Sequence, residues 1–192
     1  MPIIASTVLK LNYGDFTVSF FRNKERECLL FSHGDLLNRV PIVRIHSACL
    51  FGEAFFSKHC DCRQQLKETL KLIRKNKSGV IVYTYSEGRG IGMENKIRAM
   101  NIERTKNIDT VDAFLKLGFN ADLRKYDCEV GALKELGVKK EIFVVSNNPE
   151  KINALIDAGF TIKEIVRLKI ILNEYNSREL IVKKNKMRHY ID

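Results

Sequence analysis

The spacing of apolar residues is strand-like in the first part of this chain and alternates between helical and strand-like from Asp61 onward, and that change restricts the fold more than any other feature. Ahead of residue 46, short β-branched and aromatic runs at 16–21, 28–31 and 40–45 are divided by the turn formers Gly14, Asn23, Lys24, Gly34 and Asp35. That pattern predicts an antiparallel sheet. From Asp61 onward Leu66, Leu70 and Ile73 fall at helical spacing until Asn76-Lys77-Ser78-Gly79 stops the helix, and 80–83 predicts a buried strand. Further helices are expected from Gly92 through Ile97, after an Asp109 cap, over 127–136 closed by Gly137, and from Asn148-Pro149 to Gly159, with a strand at 142–145. The expected fold is α+β, a β-rich N-terminal part joined to an α/β C-terminal part in one compact unit. That unit spans residues 1–166, and 167–192 are expected to be a basic, irregular or partly disordered tail.

Charge enters where partners are weighed. Lys plus Arg number 33 against 23 Asp plus Glu, a formal net charge of +10. Such a surplus fits nucleic acid, an anionic small molecule or a solvated surface, and its sign does not choose among them. Lys67, Lys71, Arg74, Lys75 and Lys77, and in the tail Lys183, Lys184, Lys186 and Arg188, are scattered as a solvated face would have them. The aromatics are not interleaved with basic residues as a base-stacking platform requires, which argues against a nucleic-acid partner. No basic leader precedes a long apolar stretch, and no run approaches the ~20 apolar residues of a membrane span. A cytoplasmic protein with no membrane partner is expected. Its five cysteines are then thiols or metal ligands rather than bridges.

Three of the five stand close together: Cys49, then ten residues, then Cys60-Asp61-Cys62. Thiolates are strong donors that select zinc, and three protein ligands leave a zinc ion one open position for water. His59 or His46 is available as a fourth ligand, which would close the site into a structural one. The competing reading is three small buried thiols. Cys28, in a β-run, and Cys128, in an expected helix, read as core thiols.

A glycine-rich loop follows the buried strand: Glu87-Gly88-Arg89-Gly90-Ile91-Gly92, then Glu94-Asn95-Lys96-Ile97-Arg98. Glycines feeding a helix N-terminus present backbone N–H groups and the positive end of the helix dipole, which favour an anion. No Gly-Lys-Ser/Thr follows, and Met93 breaks the dinucleotide pattern, so this is neither a P-loop nor a Rossmann turn. A bare glycine turn with surface basics is the competing reading.

Taken in order, Cys-x10-Cys-x-Cys, Glu-Gly-Arg-x-Ile-Gly, the segment from Asp109-Thr110-Val111-Asp112 to Asp122-Leu123-Arg124, and Asn147-Asn148-Pro149 make the chain resemble GTP cyclohydrolase II. The likeness runs from about Arg44 to about Gly159 and continues weakly into Asn173-Glu174-Tyr175. Members of that family open the imidazole ring of GTP at C8 and release formate and pyrophosphate in the first step toward riboflavin. The resemblance implies a catalytic domain over 1–166, a homodimer, and one zinc per chain on Cys49, Cys60 and Cys62. Magnesium would accompany the triphosphate. It further implies that Gln65 reads the guanine, and that Arg44, Ile45, His46, Ser47, Glu87, Gly88, Arg89, Thr110, Ser146 and Lys151 line the nucleotide site. Asp122 would be the acid–base residue and Arg124 the nucleophile at the α-phosphate. A guanidinium stays protonated at any ordinary pH, so stabilising the transferring phosphoryl group is the physically cheaper role for Arg124.

Two positions depart from the family pattern. Met100 stands where the family carries a tyrosine linked with catalysis at the base, and Ala48 replaces an acidic residue. Methionine can neither donate a proton nor make a useful hydrogen bond. The expectation is therefore ring opening and pyrophosphate loss with the formyl group retained. The alternatives are the complete reaction with formate release, an inactive guanine-nucleotide-binding homologue, and a zinc-stabilised nucleic-acid-binding module.

Overall fold

The structure is a computed structural model that describes residues 3–168, 171 and 173–190. Strands β1 (Ile3–Leu11), β2 (Gly14–Arg22), β3 (Glu27–Gly34) and β4 (Ile42–Ser47) come first, then helices α1 (Leu50–Glu53) and α2 (Cys62–Asn76) and strand β5 (Ser78–Thr84). After a tight turn at Glu87–Gly90 follow α3 (Gly92–Lys106), α4 (Thr110–Lys116), α5 (Asp127–Glu135), β6 (Glu141–Val144), α6 (Pro149–Asp157), β7 (Thr161–Ile165) and α7 (Ser177–Met187). The chain divides into two units that interleave in sequence. The first comprises Met1–His46, Gln65–Tyr85 and Tyr126–Lys169, and the second Ser47–Gln64, Ser86–Lys125 and Ile170–Asp192.

The first unit is built on one seven-stranded sheet of order β1-β2-β3-β5-β4-β6-β7. β1, β2, β3 and β5 pair antiparallel, whereas β4, β6 and β7 pair parallel, so the β-rich and α/β parts share a single sheet. β4 does not extend the β2–β3 meander as its sequence position suggests; β5 lies between β3 and β4. Alternation then sorts the side chains. Cys28, Leu30, Val80 and Val82 join Val130, Leu133, Ile152 and Leu155 of α5 and α6 in one cluster, while Phe16, Ile42 and Ile81 join Leu70 and Ile73 of α2 in another. Successive residues of a strand point to opposite faces, which is why Ile81 and its neighbours at 80 and 82 serve different cores.

The sequence reading missed β1 because residues 4–10 are all exposed, leaving no apolar alternation for a period-2 signal to show. The second unit has a smaller core of Ile91, Ala99, Ala113 and Phe114, and the expected Asp109 cap accepts hydrogen bonds from the N–H groups of Val111 (2.9 Å) and Asp112 (3.1 Å).

The tail expectation needs correction. Its described part contains α7, not irregular chain, with Leu180 and Val182 buried. Nor are all its cations solvated. Lys186 lies 2.7 Å from both Asp109 and Asp112, Arg178 donates to Asn107 Oδ1 (2.9 Å), and Lys183 is 3.0 Å from Glu179 one turn away. Acidic partners far away in sequence turn a basic stretch into a docked helix. Among the described residues, no helix is long and apolar enough to cross a membrane.

Candidate metal centre and phosphate loop

One helical turn, α1, aims Cys49 at the other two cysteines. Cys49 is its N-cap residue, and two carboxylates hold the start of the turn: the Cys49 N–H donates to Glu53 Oε1 (3.0 Å) and the Leu50 N–H to Glu87 Oε1 (2.5 Å). The donor atoms of Cys49, Cys60 and Cys62 all lie within 4.8 Å of one another, with the Cys49 and Cys60 sulfurs 3.7 Å apart. Two thiolates on a tetrahedral zinc with Zn–S of about 2.3 Å sit about 3.8 Å apart. The trio therefore fits zinc in donor type and spacing. Gly52 makes room for it, because a Cβ there would lie 2.5 Å from the Cys60 sulfur and 3.3 Å from that of Cys49.

No histidine joins the group. His59 is exposed and meets Tyr175 edge-on at 5.8 Å, while His46, in the first unit, is buried, stacks on Tyr83 at 5.5 Å and accepts from Arg44 Nε at Nδ1. The fourth-ligand expectation for His46 and His59 is thereby corrected: among the described residues only the three sulfurs converge. Cys28 and Cys128 are core thiols, as expected.

The sulfurs share their protons unevenly. Hydrogen bonds from the Cys60 and Cys62 thiols hold Cys49 far below the ordinary thiol range. The same Cys49 contact pushes Cys60 up to about 11, and Cys62 rises well above its usual value through its bonds to Cys49 and Cys60 and its burial. An arriving cation would displace the thiol protons that remain on the trio. Two ammonium groups flank the trio. Lys96 Nζ lies 3.5 Å from the Cys49 sulfur and 2.7 Å from Glu87 Oε2. Burial works against its charge, but Glu87 and Cys49 outweigh that and raise its pKa. Lys183 behaves likewise, desolvated yet raised by Glu179 and Asp61.

The glycine loop folds into the expected tight turn ahead of α3. Gly88, Arg89, Gly90 and Gly92 all have positive φ, Arg89 at 55°. At Gly90 the reason is contact as well as dihedral: the Arg89 carbonyl accepts from the Leu123 N–H (3.0 Å), and a Cβ on Gly90 would crowd the Leu123 backbone at 3.3 Å. Arg89 is held in a left-handed conformation that disfavours branched or long side chains. Its two terminal guanidinium nitrogens are buried and have no hydrogen-bond partner, and burial lowers its pKa. The Phe114 ring lies 5.5 Å from its guanidinium carbon. A guanidinium cannot shed its proton, so two buried donors without acceptors point to an anion as their partner.

Leu123 brings its neighbours with it. Arg124 donates from Nε to Asp122 Oδ1 (2.8 Å), from one terminal nitrogen to Oδ2 (2.5 Å), and from the other to Ser47 Oγ (3.1 Å). Burial opposes the Asp122 charge, but the Arg124 fork prevails and holds its carboxyl below the usual range. Thr110 Oγ1 donates to Glu103 Oε2 (3.1 Å), and half-buried Met100 follows Lys96 by one turn of α3.

The remaining expected residues are in the first unit. Arg44 is buried and donates to His46 Nδ1 (3.0 Å), the Val145 carbonyl (3.2 Å) and Gln65 Oε1. Lys151 Nζ donates to the carbonyl of Ile45 (2.9 Å), and Ser146 Oγ accepts from the Asn148 N–H (3.1 Å). Sequence reasoning missed Glu53, Gly52 and Lys183. Gly52, between Cys49 and Cys60, was the one with a readable signal.

Comparison with known proteins gives the family. The model of the GTP cyclohydrolase II family matches residues 3–167. A GTP cyclohydrolase-2 of Haemophilus influenzae is 41% identical over 195 residues, covering 100% of this chain and 89% of that protein. One from Shewanella amazonensis is 40% identical over 189 residues, 97% of this chain and 91% of its own. The riboflavin biosynthesis protein RibBA of Aquifex aeolicus is 42% identical over 190 residues, 97% of this chain and 46% of its length. With a family match over nearly its whole length and relatives this similar, the chain belongs to the GTP cyclohydrolase II family.

Proposed function

We propose that the chain hydrolyses GTP, opening the imidazole ring at C8 and releasing pyrophosphate, and that its product keeps the formyl group. What carries this reading is one pairing inside the second unit: three thiolates at metal spacing, and a buried guanidinium with no hydrogen-bond partner. Zinc held by Cys49, Cys60 and Cys62 would lower the pKa of a coordinated water to about 7, supplying a nucleophile strong enough for a purine C8 at neutral pH. GTP enters as its magnesium complex.

The remaining work falls to the chain's own groups. Arg89 offers its two buried donors to the phosphates, where a low-dielectric setting makes each hydrogen bond strong. Arg124 is held rigid by Asp122 and Ser47, so its charge faces the transferring phosphoryl group without reorganisation. Asp122 stays ionised near neutral pH and serves as the clamp on that guanidinium. Arg44 donates to Gln65 Oε1 and so fixes which way the amide presents itself to guanine. Glu87 acts by holding Leu50 and Lys96 in place. Ile45, His46, Gly88, Thr110, Ser146 and Lys151 complete the nucleotide contacts implied by the family.

Removing the formyl group is a second hydrolysis at the base. Met100 has no proton to give there. Mass spectrometry of a GTP incubation with zinc and magnesium tests both parts. Pyrophosphate release with a formylated pyrimidine is expected, and Met100→Tyr should add formate release. Absence of pyrophosphate would overturn the hydrolase reading, and complete formate loss by the unaltered protein would overturn the role of Met100. A homodimer is also inferred. β1 is a sheet edge with Ile4, Val8 and Leu9 exposed, and edges this long and apolar normally find cover. Light scattering should give twice the mass of one chain.

A further inference from the structure

We propose that Lys183, on α7, is a positioning residue of the metal site, acting through Asp61 to keep the Cys60–Cys62 segment in its ligating shape. The inference rests on the reading of the thiolate trio as a metal site. Asp61 is the residue between two ligands, and its side chain is fully buried. Lys183 Nζ lies 3.4 Å from its Oδ1 and is itself only 14% exposed.

The geometry of a Cys-x-Cys segment explains why this pair matters. Asp61 joins the two ligands in sequence, and its buried carboxylate is anchored on α7 by Lys183, so a shift of that carboxylate carries the ligand segment with it. Without Lys183 that carboxylate loses the ammonium 3.4 Å away, and the segment can relieve the loss by swinging Asp61 toward water. Such a swing turns Cys60 and Cys62 with it. Charge acts in the same direction. Three thiolates on a divalent cation carry a net negative charge, Asp61 adds another, and Lys183 is the ammonium that offsets them. Nothing in the local sequence marks this role, since the partner is 122 positions away.

The other ion pairs of α7 supply the control. Lys186 pairs with Asp109 and Asp112, docking the same helix without touching the metal segment. Zinc affinity is measured by competition with a chromophoric chelator, alongside melting temperature, for the full chain and the variants Lys183→Met, Lys183→Arg and Lys186→Met. Lys183→Met should weaken zinc binding by about 10–100-fold, the usual effect of losing an outer-shell partner. Lys183→Arg should recover most of that loss. Lys186→Met should lower the melting temperature while leaving zinc affinity within about twofold of the parent.

Unchanged affinity in Lys183→Met, or an equal loss in Lys186→Met, would overturn the inference. Should Lys183→Met fail to fold, the double variant Asp61→Asn/Lys183→Met removes both charges. It should bind zinc no more weakly than Asp61→Asn alone, and an additional loss would show that Lys183 does not act through Asp61. If the unaltered chain holds no zinc at all, the metal-site reading itself fails and this inference goes with it.

Discussion

Replacing Gly52 by alanine should cost the protein its metal while leaving its backbone content. Gly52 lies in α1 and its φ is outside the left-handed region, so nothing in its dihedrals requires glycine. On helix propensity alone alanine would be better by ~1 kcal/mol. The obstacle is the new methyl group, which would sit 2.5 Å from the Cys60 sulfur, 3.3 Å from the Cys49 sulfur and 3.5 Å from Cys62 Cβ. Ordinary contact begins near ~3.5 Å, so the Cys60 sulfur must retreat by about 1 Å. Metal–ligand distances tolerate about 0.2 Å, and that retreat therefore removes one ligand. Structural zinc sites with four ligands bind with roughly 10–16 kcal/mol, or about 2.5–4 kcal/mol per ligand. Losing one corresponds to about two to three powers of ten in affinity at 1.4 kcal/mol per tenfold. Chelator competition reads that number directly, and circular dichroism confirms that the helices remain. A Gly52→Ala protein holding zinc as tightly as the parent would refute the argument that these sulfurs surround an ion in this arrangement.

Three other outcomes follow from the same structure. Arg89→Met should abolish pyrophosphate release and yet leave the ligand-free protein as stable or more stable by about 1–3 kcal/mol, because a buried charge without a hydrogen-bond partner is removed; added pyrophosphate should raise the melting temperature of the parent but not of the variant. Glu87→Ala deprives the Leu50 N–H of its acceptor and mostly buried Lys96 of its carboxylate partner, leaving it the Cys49 sulfur, so a stability loss of up to about 3–5 kcal/mol in chemical denaturation is expected, with weaker zinc binding through Cys49. For Asp122, whose folded pKa is depressed, the stability contributed with Arg124 is complete above the unfolded carboxyl value of ~3.9 and lost as pH falls through the lower folded value. The difference in melting temperature between the parent and Asp122→Asn should therefore persist at pH 6 and shrink in titrations carried below about pH 4.

Much of the fold was legible because local chemistry decided it. Asp109 and Asn148 cap the helices they precede, accepting from the N–H groups at 111 and 150 (2.9 Å each), and Leu66, Leu70 and Ile73 face the sheet as their spacing requires. What stayed hidden was decided by partners distant in sequence. The place of β5 between β3 and β4 is a choice among strand pairings that periodicity does not rank. β1 has no buried face for a pattern to mark, and the cations of α7 look like a solvated tail until Asp109, Asp112 and Asp61 are seen opposite them.

The candidate site divides along the same line. Its donors were readable because metal and anion chemistry admit few residue types: thiolates for zinc, and glycines that let a loop turn with positive φ while an arginine beside them points inward. The supporting groups were not, since a glutamate that bonds an N–H, as Glu53 and Glu87 do, is indistinguishable in sequence from one on the surface. The histidines show the reverse error. His59 and His46 are the residue type a fourth ligand would need and lie near the cysteines in sequence, yet one faces solvent and the other is spent on Arg44 and Tyr83. Residue type thus proposes ligands, and the hydrogen bonds already made decide which of them remain available. By that test three sulfurs converge without a fourth protein donor among the described residues, which is the coordination a hydrolytic centre needs and a purely structural zinc site lacks.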